Sequence, residues 1–595
     1  MYIQKFEYIK GGFCLKRFQG YTMAHFQKDV LSGFIVGVIA LPLGMAFAIA
    51  SGVKPEYGIY TTIVAGILIS LFGGSKYQIG GPTGAFIPIL LGIVLTYGYE
   101  NLLVAGFLSG IMLVLFGVLR LGSLIKFIPR PVTIGFTAGI AVIIFTGQIP
   151  NFLGLNVKKH EAFVDNMKEI WMHLNDVNIY SVIIASIGLV VLLLAPKVVP
   201  KIPSPLLSLV VSSLFAFFLF ENKVATIGSV YGEIPNTLPH VSIPNLTLEH
   251  IYEMIRPAFV IAMLGAIESL LSAVVADGMT GEKHHSNREL IGQGIANIVT
   301  PFFGGIPATG AIARTATNIK SGATSPLSGV IHGVVVLVIL LIFSPYASHI
   351  PLASMAPILM IVAWNMSERK EFIHVLKMKS ADSIVLVITF VLTIFVNLTV
   401  AVEVGLILAV ILFVKRMTDV FQVFKVLPDE KKKKVTPRMV EQGKDCPQIS
   451  IYTIDGPLFF GVAQMFEQSI MATIHHAPRV LILRMSKVPY MDQTGEANLA
   501  SLVEHFQSKG GIVFVSGIQQ QPKEMLKRSG LYDKIGTENF FEHTGEALQT
   551  AFSHINRTQC VGCKHYAFSE CRQLCHIQGE QAVNHFKTEY VGGNK

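Results

Sequence analysis

Gly80-Gly81-Pro82-Thr83-Gly84-Ala85 and Gly304-Gly305-Ile306-Pro307-Ala308-Thr309-Gly310-Ala311 are two similar stretches about 225 positions apart, each inside a long apolar part of the chain. Glycine and proline thus interrupt an apolar segment at corresponding places of two halves, which is typical of membrane proteins built from an inverted repeat. A helix that begins at such a break directs unpaired N–H groups and the positive end of its dipole toward the bilayer midplane. The two breaks therefore predict an anion site.

The composition is that of a membrane protein. Of the 595 residues, 51% are hydrophobic and 14% are charged, and the mean hydropathy is +0.55, whereas soluble domains have about 25% charged residues. We assign the net charge of +9 to cytoplasmic loops and not to nucleic-acid binding, because no basic patch with interleaved aromatic residues occurs. Neither a Gly-x-x-x-x-Gly-Lys-Ser/Thr loop nor a nucleophile–base set occurs, so we expect neither ATP-driven pumping nor an enzyme.

Apolar runs long enough to cross roughly 30 Å of hydrocarbon, fully or in part, predict about fourteen membrane segments, seven in each half. Because seven is odd, the second half must be inverted relative to the first. The predicted segments lie near 29–50, 57–72, 85–97, 101–119, 131–150, 178–196, 204–220, 253–276, 288–303, 311–319, 324–344, 352–366, 382–397 and 399–416.

The composition also divides the chain into domains. We predict a cytoplasmic N-terminal segment at 1–28, a membrane transport domain at 29–416, a linker at 417–447, an α/β domain at 448–555 and a Cys-rich tail at 556–595. The α/β domain follows from strand-like runs at 449–454, 480–483 and 512–515 with helical patterns between them. Lys and Arg concentrate in loops on the side of the N-terminus, which predicts a multi-pass protein of the cell membrane with both termini in the cytoplasm.

Several ordered motifs resemble the SulP family of anion transporters, also called the sulfate permease or solute carrier 26 family. The matching segments are 51–60, 73–76, 80–83, 266–273, 277–281 and 304–307. Within the family, 263–268 and 361–367 look most like the bacterial dicarboxylic acid uptake branch. The resemblance implies core and gate domains, elevator-like movement and a cytoplasmic STAS domain. It also implies transport of sulfate, bicarbonate or dicarboxylates with protons or sodium, or by exchange, and a homodimer.

The predicted substrate site lies between the two breaks, where backbone amides on both sides face each other. Glycine lets the backbone approach a ligand, and threonine adds hydroxyl donors or caps for the short helices. The alternative is that these residues only kink packed helices. Arg314, one turn after the second break, supplies a fixed positive charge, and Phe47 supplies an apolar wall. The predicted substrate-binding residues are Phe47, Thr83, Gly84, Ala85, Thr309, Gly310, Ala311 and Arg314.

Glu268 lies near the middle of the eighth segment and is the candidate for proton coupling. An ionised carboxylate there costs several kcal/mol, so an acid at this depth is a functional candidate. Protonated Glu268 would tolerate an approaching anion, and the deprotonated form would repel it. The family resemblance adds Ser272, one turn further on, as a ligand. The alternative for Glu268 is a structural ion pair with Arg314.

Two further sites are predicted in the C-terminal region. Residues 490–495 resemble the loop before a STAS helix, where related regulators are phosphorylated on a hydroxyl; that position is Thr494, which is equally placed to cap the helix. Cys560, Cys563, Cys571 and Cys575 could supply four tetrahedral ligands to zinc, and the alternative is a disordered tail with free thiols. Transport itself requires no cofactor, and a cytosolic regulator on the STAS domain is a candidate partner.

These features together predict a secondary active anion transporter in the lipid bilayer, with proton or sodium as the coupling ion. One alternative is a sensor, in which anion binding signals through the STAS domain without bulk transport. Another is a nucleobase permease, which shares the inverted-repeat architecture. Helix N-termini and one arginine bind sulfate, bicarbonate and carboxylates by similar physics, so the substrate stays open among these three.

Overall fold

The computed structural model describes residues 21–123, 129–199, 202–237, 239, 241–244, 246–396, 398–429, 434–436, 445–473, 478–561, 563, 565 and 567–571. The chain forms two compact units, Met1–Ala409 and Val410–Lys595. The predicted N-terminal segment lies mostly outside the described residues, as do parts of the linker and most of the tail.

The first unit is helical. Among its described residues, seven helical stretches are long and apolar enough to cross a membrane by length and composition, and two shorter ones are also apolar. Its helices are α1 (Met23–Ala50), α2 (Pro55–Phe72), α3 (Ile87–Val118), α4 (Arg130–Gly147), α5 (Ile149–Leu153), α6 (Phe163–Met172), α7 (Ile179–Val198), α8 (Ser204–Leu219), α9 (Ile227–Tyr231), α10 (Leu248–Thr280), α11 (Ser286–Val299), α12 (Ile312–Lys320), α13 (Leu327–Ala347), α14 (Leu352–Met366), α15 (Arg369–Lys377) and α16 (Ala381–Phe395), followed by α17 (Leu398–Val420), which runs past the boundary between the units.

A helix lies at each of the fourteen predicted segments once α3 is divided. Gly98 inside α3 has φ +84° and ψ 172°, which is not helical, so the helix is interrupted there and supplies the third and fourth segments. The tenth segment is α12, with nine residues. Both halves therefore contain a short helix that starts at a Gly-rich break.

Glycines mark the places where these helices approach most closely. A Cβ on Gly110 of α3 would lie 2.6 Å from the Ile298 amide nitrogen and 2.7 Å from the Gly294 carbonyl oxygen of α11. Likewise, a Cβ on Gly33 of α1 would lie 2.5 Å from the Ser328 carbonyl oxygen of α13. Small residues allow such backbone contacts between helices in a bilayer.

Two buried carboxylates tie loops to helices by accepting backbone N–H bonds. Asp29 of α1 accepts from the amides of Thr324 at 2.6 Å and Ser325 at 3.1 Å. Glu289 of α11 accepts from the amides of Gly74 at 2.6 Å and Ser75 at 2.9 Å. Each carboxylate supplies the acceptors that a loop outside regular structure would otherwise lack.

The second unit is an α/β domain, and the three predicted strands are confirmed as β6, β7 and β8. Its main sheet has the order β3-β6-β7-β8-β9, in which only the β3–β6 pair is antiparallel. The strands are β3 (Gln422–Lys425), β4 (Leu427–Asp429), β5 (Lys434–Thr436), β6 (Ile449–Asp455), β7 (Val480–Lys487), β8 (Ile512–Ser516) and β9 (Phe540–Phe541). The helices are α18 (Ala463–Thr473), α19 (Gln493–Ser508), α20 (Gln520–Ser529), α21 (Leu531–Ile535) and α22 (Thr544–Ala551).

The contact between α3 and α11 predicts that Gly110→Ala destabilises the protein. The added methyl group would meet backbone atoms that cannot rotate away, and such overpacking costs about 1–3 kcal/mol. We expect a lower melting temperature of the purified protein in detergent. Gly278→Ala in α10 is the control, since a Cβ there meets no atom within 4 Å. Equal melting temperatures for the two variants would contradict the close approach.

Candidate functional site

The two Gly-rich breaks meet in the first unit as a small antiparallel ladder. β1 (Gly80–Gly81) pairs with β2 (Thr309–Gly310), with Gly80 opposite Gly310 and Gly81 opposite Thr309. A short 3₁₀ turn, Gly84–Phe86, leads from β1 into α3, and α12 follows β2 directly. Two helix N-termini therefore start from one ladder, and their first-turn amides lack intrahelical acceptors.

The ladder changes which amides are available at the second break. The Ala311 amide donates to the Ile79 carbonyl at 2.8 Å, so the prediction of a free amide at Ala311 is wrong. The physical reason is that strand pairing continues one residue past β2. Ala311 is the N-cap of α12, and its carbonyl accepts the Thr315 amide at 2.9 Å. The first-turn amides that lack an intrahelical acceptor belong to residues 312–314.

Two glycines at the ladder allow close side-chain contacts. A Cβ on Gly310 would lie 1.6 Å from Nε2 of Gln78, so a side chain there would displace the Gln78 amide from its bond to the Ser269 carbonyl. Gly81 has φ +148°, and a Cβ on it would lie 2.7 Å from Nη1 of Arg314. Glycine at position 81 thus adopts a backbone conformation that L side chains disfavour, and it lets the guanidinium lie against the strand.

Arg314 is buried, with 4% of its surface exposed. Its Nη2 donates to the Pro82 carbonyl, whereas its Nη1 has no hydrogen-bond partner. A buried charged donor without an acceptor is costly. Nη1 therefore has room for an additional acceptor. The planar fork of the guanidinium matches an oxyanion or a carboxylate. This donor is the strongest indication of an anion site.

Glu268 lies beside the first break. The Thr83 hydroxyl donates to Oε2 of Glu268 at 2.9 Å, and the carboxylate is half-buried. The Arg314 guanidinium is near enough to act on Glu268 electrostatically, but no ion pair joins the two described side chains. The structure therefore does not contain the direct Glu268–Arg314 ion pair that was the alternative for Glu268.

One face of α10 holds both breaks in place. The Thr309 hydroxyl donates to the Gly265 carbonyl at 2.9 Å, and Nε2 of Gln78 donates to the Ser269 carbonyl at 3.2 Å. The buried Ser272 hydroxyl donates to Oγ1 of Thr315 at 3.1 Å. These positions lie on one face of the helix. The predicted ligand Ser272 thus contacts α12, and neither threonine of the breaks caps its short helix.

Two polar side chains that the sequence did not reveal support the second break. Nδ2 of Asn297 donates to the Ala308 carbonyl and Oδ1 of Asn297 accepts from the Ala308 amide, both at 2.8 Å. The Ile306 amide donates to Oγ1 of Thr61 at 2.7 Å. These contacts pair backbone groups that would otherwise be unsatisfied. Both helices contain other polar residues, such as Thr62 in α2 and Gln293 in α11, so neither Thr61 nor Asn297 stands out in the sequence.

Three residues form an apolar wall beside Gly84. A Cβ on Gly84 would lie 3.0 Å from Sδ of Met366, 3.4 Å from Cδ1 of Ile144 and 3.6 Å from Cε1 of Phe47. The structure thus places the predicted residue Phe47, which is 5% exposed, next to the first break. Ile144 and Met366 were not predicted, since apolar residues in α4 and α14 carry no distinguishing pattern.

His332 is a further polar residue close to the ladder that the sequence did not reveal. It is fully buried in α13, and neither ring nitrogen has a hydrogen-bond partner. A Cβ on Gly66 would lie 3.0 Å from Cε1 and 3.1 Å from Nδ1 of His332. The same Cβ would lie 3.5 Å from the carbonyl oxygen of Gly80. The imidazole therefore packs behind β1.

A cavity of about 740 Å³ lies in the same unit. It is bordered by the first helix turn of α3, the C-terminal part of α4 and the loop between α5 and α6, which contributes Lys158 and Lys159. Nζ of Lys159 donates to the Ile49 carbonyl at 2.8 Å. Ile87 and Ile144 also line the cavity, so it ends next to the apolar wall at Gly84.

The second unit contains two predicted sites, Thr494 and the cysteines of the tail. Thr494 is exposed at the start of α19, but the N-cap is Asp492, whose side chain accepts from the Gly495 amide at 2.8 Å; the capping alternative for Thr494 is wrong. Cys575 lies outside the described residues. Among the described residues, no group of three or more His, Cys, Asp or Glu side chains could hold a metal ion. Zinc binding in the tail stays a prediction.

A bundle of apolar helices with two broken segments beside a guanidinium that has one unused donor is typical of membrane proteins that bind small anions. The sulfate permease family model matches residues 26–389, and the STAS domain model matches residues 439–547. The chain therefore belongs to the sulfate permease family and carries a STAS domain, as the sequence motifs predict.

Relatives match along most of the chain. YvdB of Bacillus subtilis (strain 168), which carries a provisional name as a sulfate transporter, is 56% identical over 531 residues, 89% of this chain and 98% of the relative. The bicarbonate transporter BicA of Picosynechococcus sp. is 30% identical over 553 residues, 89% of this chain and 95% of the relative. The protein is an anion transporter of this family.

Solved structures show the same fold. SLC26A9 has a TM-score of 0.83 at 20% identity and covers 92% of this chain and 93% of its own. The transmembrane domain of a cyanobacterial BicA has a TM-score of 0.58 at 30% identity and covers 65% of this chain and 98% of its own. The predicted helical membrane domain with an inverted repeat and a STAS domain is confirmed.

The two bonds to Ala308 predict that Asn297→Ala destabilises the second break. The substitution leaves a buried amide and a buried carbonyl unpaired, at a cost of about 1–3 kcal/mol for each group. We expect a lower melting temperature in detergent and loss of anion uptake in proteoliposomes. The control is Asn101→Ala, which removes one bond to the Tyr97 carbonyl across the interruption of α3 at Gly98. Comparable melting temperatures would show that Asn297 does not support the break.

Proposed function

We propose that the protein is a secondary active transporter that moves sulfate, bicarbonate or a dicarboxylate such as succinate together with a proton. The observation that carries the proposal is the buried Nη1 of Arg314 without an acceptor. The names of the relatives favour sulfate and bicarbonate, and the dicarboxylate rests on the sequence resemblance alone.

The anion would lie between the two helix N-termini that start from the ladder. Nη1 of Arg314 supplies a charged donor, and the first-turn amides of α12 and of the Gly84–Phe86 turn supply neutral ones. These groups belong to the backbone or are held by the Pro82 carbonyl, so little conformational entropy is lost when the ligand binds. Phe47 would exclude water from one side of the ligand.

Proton coupling would come from Glu268. When Glu268 is ionised, its negative charge opposes that of an incoming anion and offsets the field of Arg314. Protonation removes that repulsion, so anion and proton favour each other's binding, which is the reciprocal coupling that symport requires. Thr83 connects the two events, because it donates to the Glu268 carboxylate and belongs to the break that faces the anion.

Alternating access would follow an elevator-type movement. The anion groups belong to the ladder, α10 and α12, whereas the wall residues Ile144 and Met366 belong to α4 and α14, which pack against each other. Sliding of the first group past the second would expose the site to one side and then the other. The cavity that ends at Ile87 and Ile144 provides a path for one of these states. We also propose that the protein forms a homodimer in the cell membrane, with both termini in the cytoplasm. A proton is favoured over sodium as the coupling ion because Glu268 is a single acid.

Arg314→Gln tests the anion site. A hydrogen bond to a charged group contributes about 1.5–3 kcal/mol, so we expect at least tenfold weaker anion binding, with part of the affinity retained in Arg314→Lys. The measurement is half-saturation of labelled sulfate, bicarbonate and succinate uptake into proteoliposomes. Lys320→Gln, an exposed position at the end of the same helix, is the control. Unchanged half-saturation in Arg314→Gln would refute the proposed site.

Glu268→Gln tests proton coupling. The amide oxygen still accepts from Thr83 but can no longer ionise, so we expect loss of accumulation driven by an inward proton gradient while exchange of labelled for unlabelled anion continues. Glu249→Gln, exposed in the first turn of the same helix, should accumulate anion like the wild type. If the wild type binds anion but shows neither accumulation nor exchange, the sensor alternative replaces transport. Gradient-driven accumulation by Glu268→Gln would show that another residue couples the proton.

A further inference from the structure

A polar row crosses the parallel sheet of the STAS domain. Thr453 of β6 lies opposite Arg484 of β7, and Arg484 lies opposite Ser516 of β8. Direct register partners point to the same face of a sheet. All three are in the carboxyl-terminal half of their strands, the end at which ligands bind in open α/β sheets.

Thr544, the first residue of α22, covers this row. Nε of Arg484 donates to Oγ1 of Thr544 at 2.9 Å, and Nη1 donates to Oγ1 of Thr453 at 2.8 Å. The Ser516 hydroxyl lies 3.2 Å from the Thr544 hydroxyl. A guanidinium has five N–H donors, and only two of them are used in these contacts. Both acceptors are neutral hydroxyl groups.

The charge of Arg484 has no carboxylate partner among the described residues. Its neighbour Lys487 differs, since it pairs with Asp455 on the adjacent strand. Burial lowers the pKa of the half-buried Arg484 guanidinium, and no nearby acid counteracts that effect. The acid in the first turn of α22 is Glu546, whose Oε2 accepts from the His543 amide at 3.4 Å. Arg484 is thus a positive charge below the positive end of a helix dipole.

The surroundings leave room for a small solute. A Cβ on Gly545, the second residue of α22, would meet no atom within 4 Å. His543 and Gly545 are exposed, Arg484 and Thr544 are half-buried, and Thr453 and Ser516 are buried. A solute can therefore approach the start of α22 from solvent.

We propose that Arg484 and Thr544, held in place by the buried hydroxyl groups of Thr453 and Ser516, form a binding site for a tetrahedral oxyanion, sulfate or phosphate, on the STAS domain. The guanidinium supplies its unused N–H donors and the formal charge that the row lacks. The Thr544 hydroxyl can turn its hydrogen toward an anion, and the amides of Thr544 and Gly545 add neutral donors, whereas the Glu546 amide already donates to the His543 side chain. This site is separate from the membrane site and does not depend on transport.

Hydrogen exchange measured by mass spectrometry on the full-length protein in detergent tests the proposal. Sodium sulfate, sodium phosphate and sodium chloride are added at matched ionic strength, and exchange is followed in peptides that cover 540–551. A ligand at ten times its dissociation constant stabilises the bound state by about 1.4 kcal/mol, which slows exchange about tenfold. We expect this slowing with sulfate or phosphate and not with chloride. Comparison of the two salts identifies the anion.

Five variants decide the outcome. Arg484→Gln should abolish the slowing and Arg484→Lys should retain part of it. Arg528→Gln, an exposed position of α20, and Arg314→Gln in the membrane domain should behave like the wild type. Exchange in β6 and β7 without anion shows whether Arg484→Gln is folded; if it is not, Arg484→Lys and Thr544→Val give the result. No slowing in the wild type, or the same slowing in folded Arg484→Gln, would overturn the proposal.

Discussion

The structure depends on how two interrupted helices satisfy their backbone groups in the middle of a membrane domain. Hydrocarbon offers no hydrogen bonds, so an unpaired amide or carbonyl there costs several kcal/mol. The two breaks satisfy this requirement by pairing with each other, as Gly80 with Gly310 and Gly81 with Thr309. Each break therefore supplies backbone partners that the other needs.

The proposed anion site consists of the donors that remain after this pairing. The ladder uses the Ala311 amide, Asn297 uses both backbone groups of Ala308, and Thr61 accepts from Ile306. The donors left over are the first-turn amides of the short helices and Nη1 of Arg314. All of them are positive ends of dipoles or carry a charge. A site that favours anions thus follows from the way the breaks are built.

Much of this arrangement could be predicted from local patterns, because the echo of two Gly-rich breaks, the mid-membrane Glu268 and the basic Arg314 are each visible in a short window of sequence. The register of the ladder could not, since it depends on contacts between residues more than 200 positions apart. A shift of one residue decides whether the Ala311 amide is available. The same limit applies to the STAS domain, whose strands follow from apolar runs, whereas the alignment of Thr453, Arg484 and Ser516 exists only in the folded sheet.

The spacing of Glu268 and Arg314 has a consequence for coupling. A direct ion pair would neutralise both groups and would have to break before either could act on a ligand, at a cost set by desolvation. In the structure Arg314 donates to Pro82, and Glu268 accepts from Thr83. The two charges therefore act on each other through space, and each keeps a neutral partner. An anion between them would interact with both at once, so its affinity would depend on the protonation of Glu268 without rearrangement of the arginine.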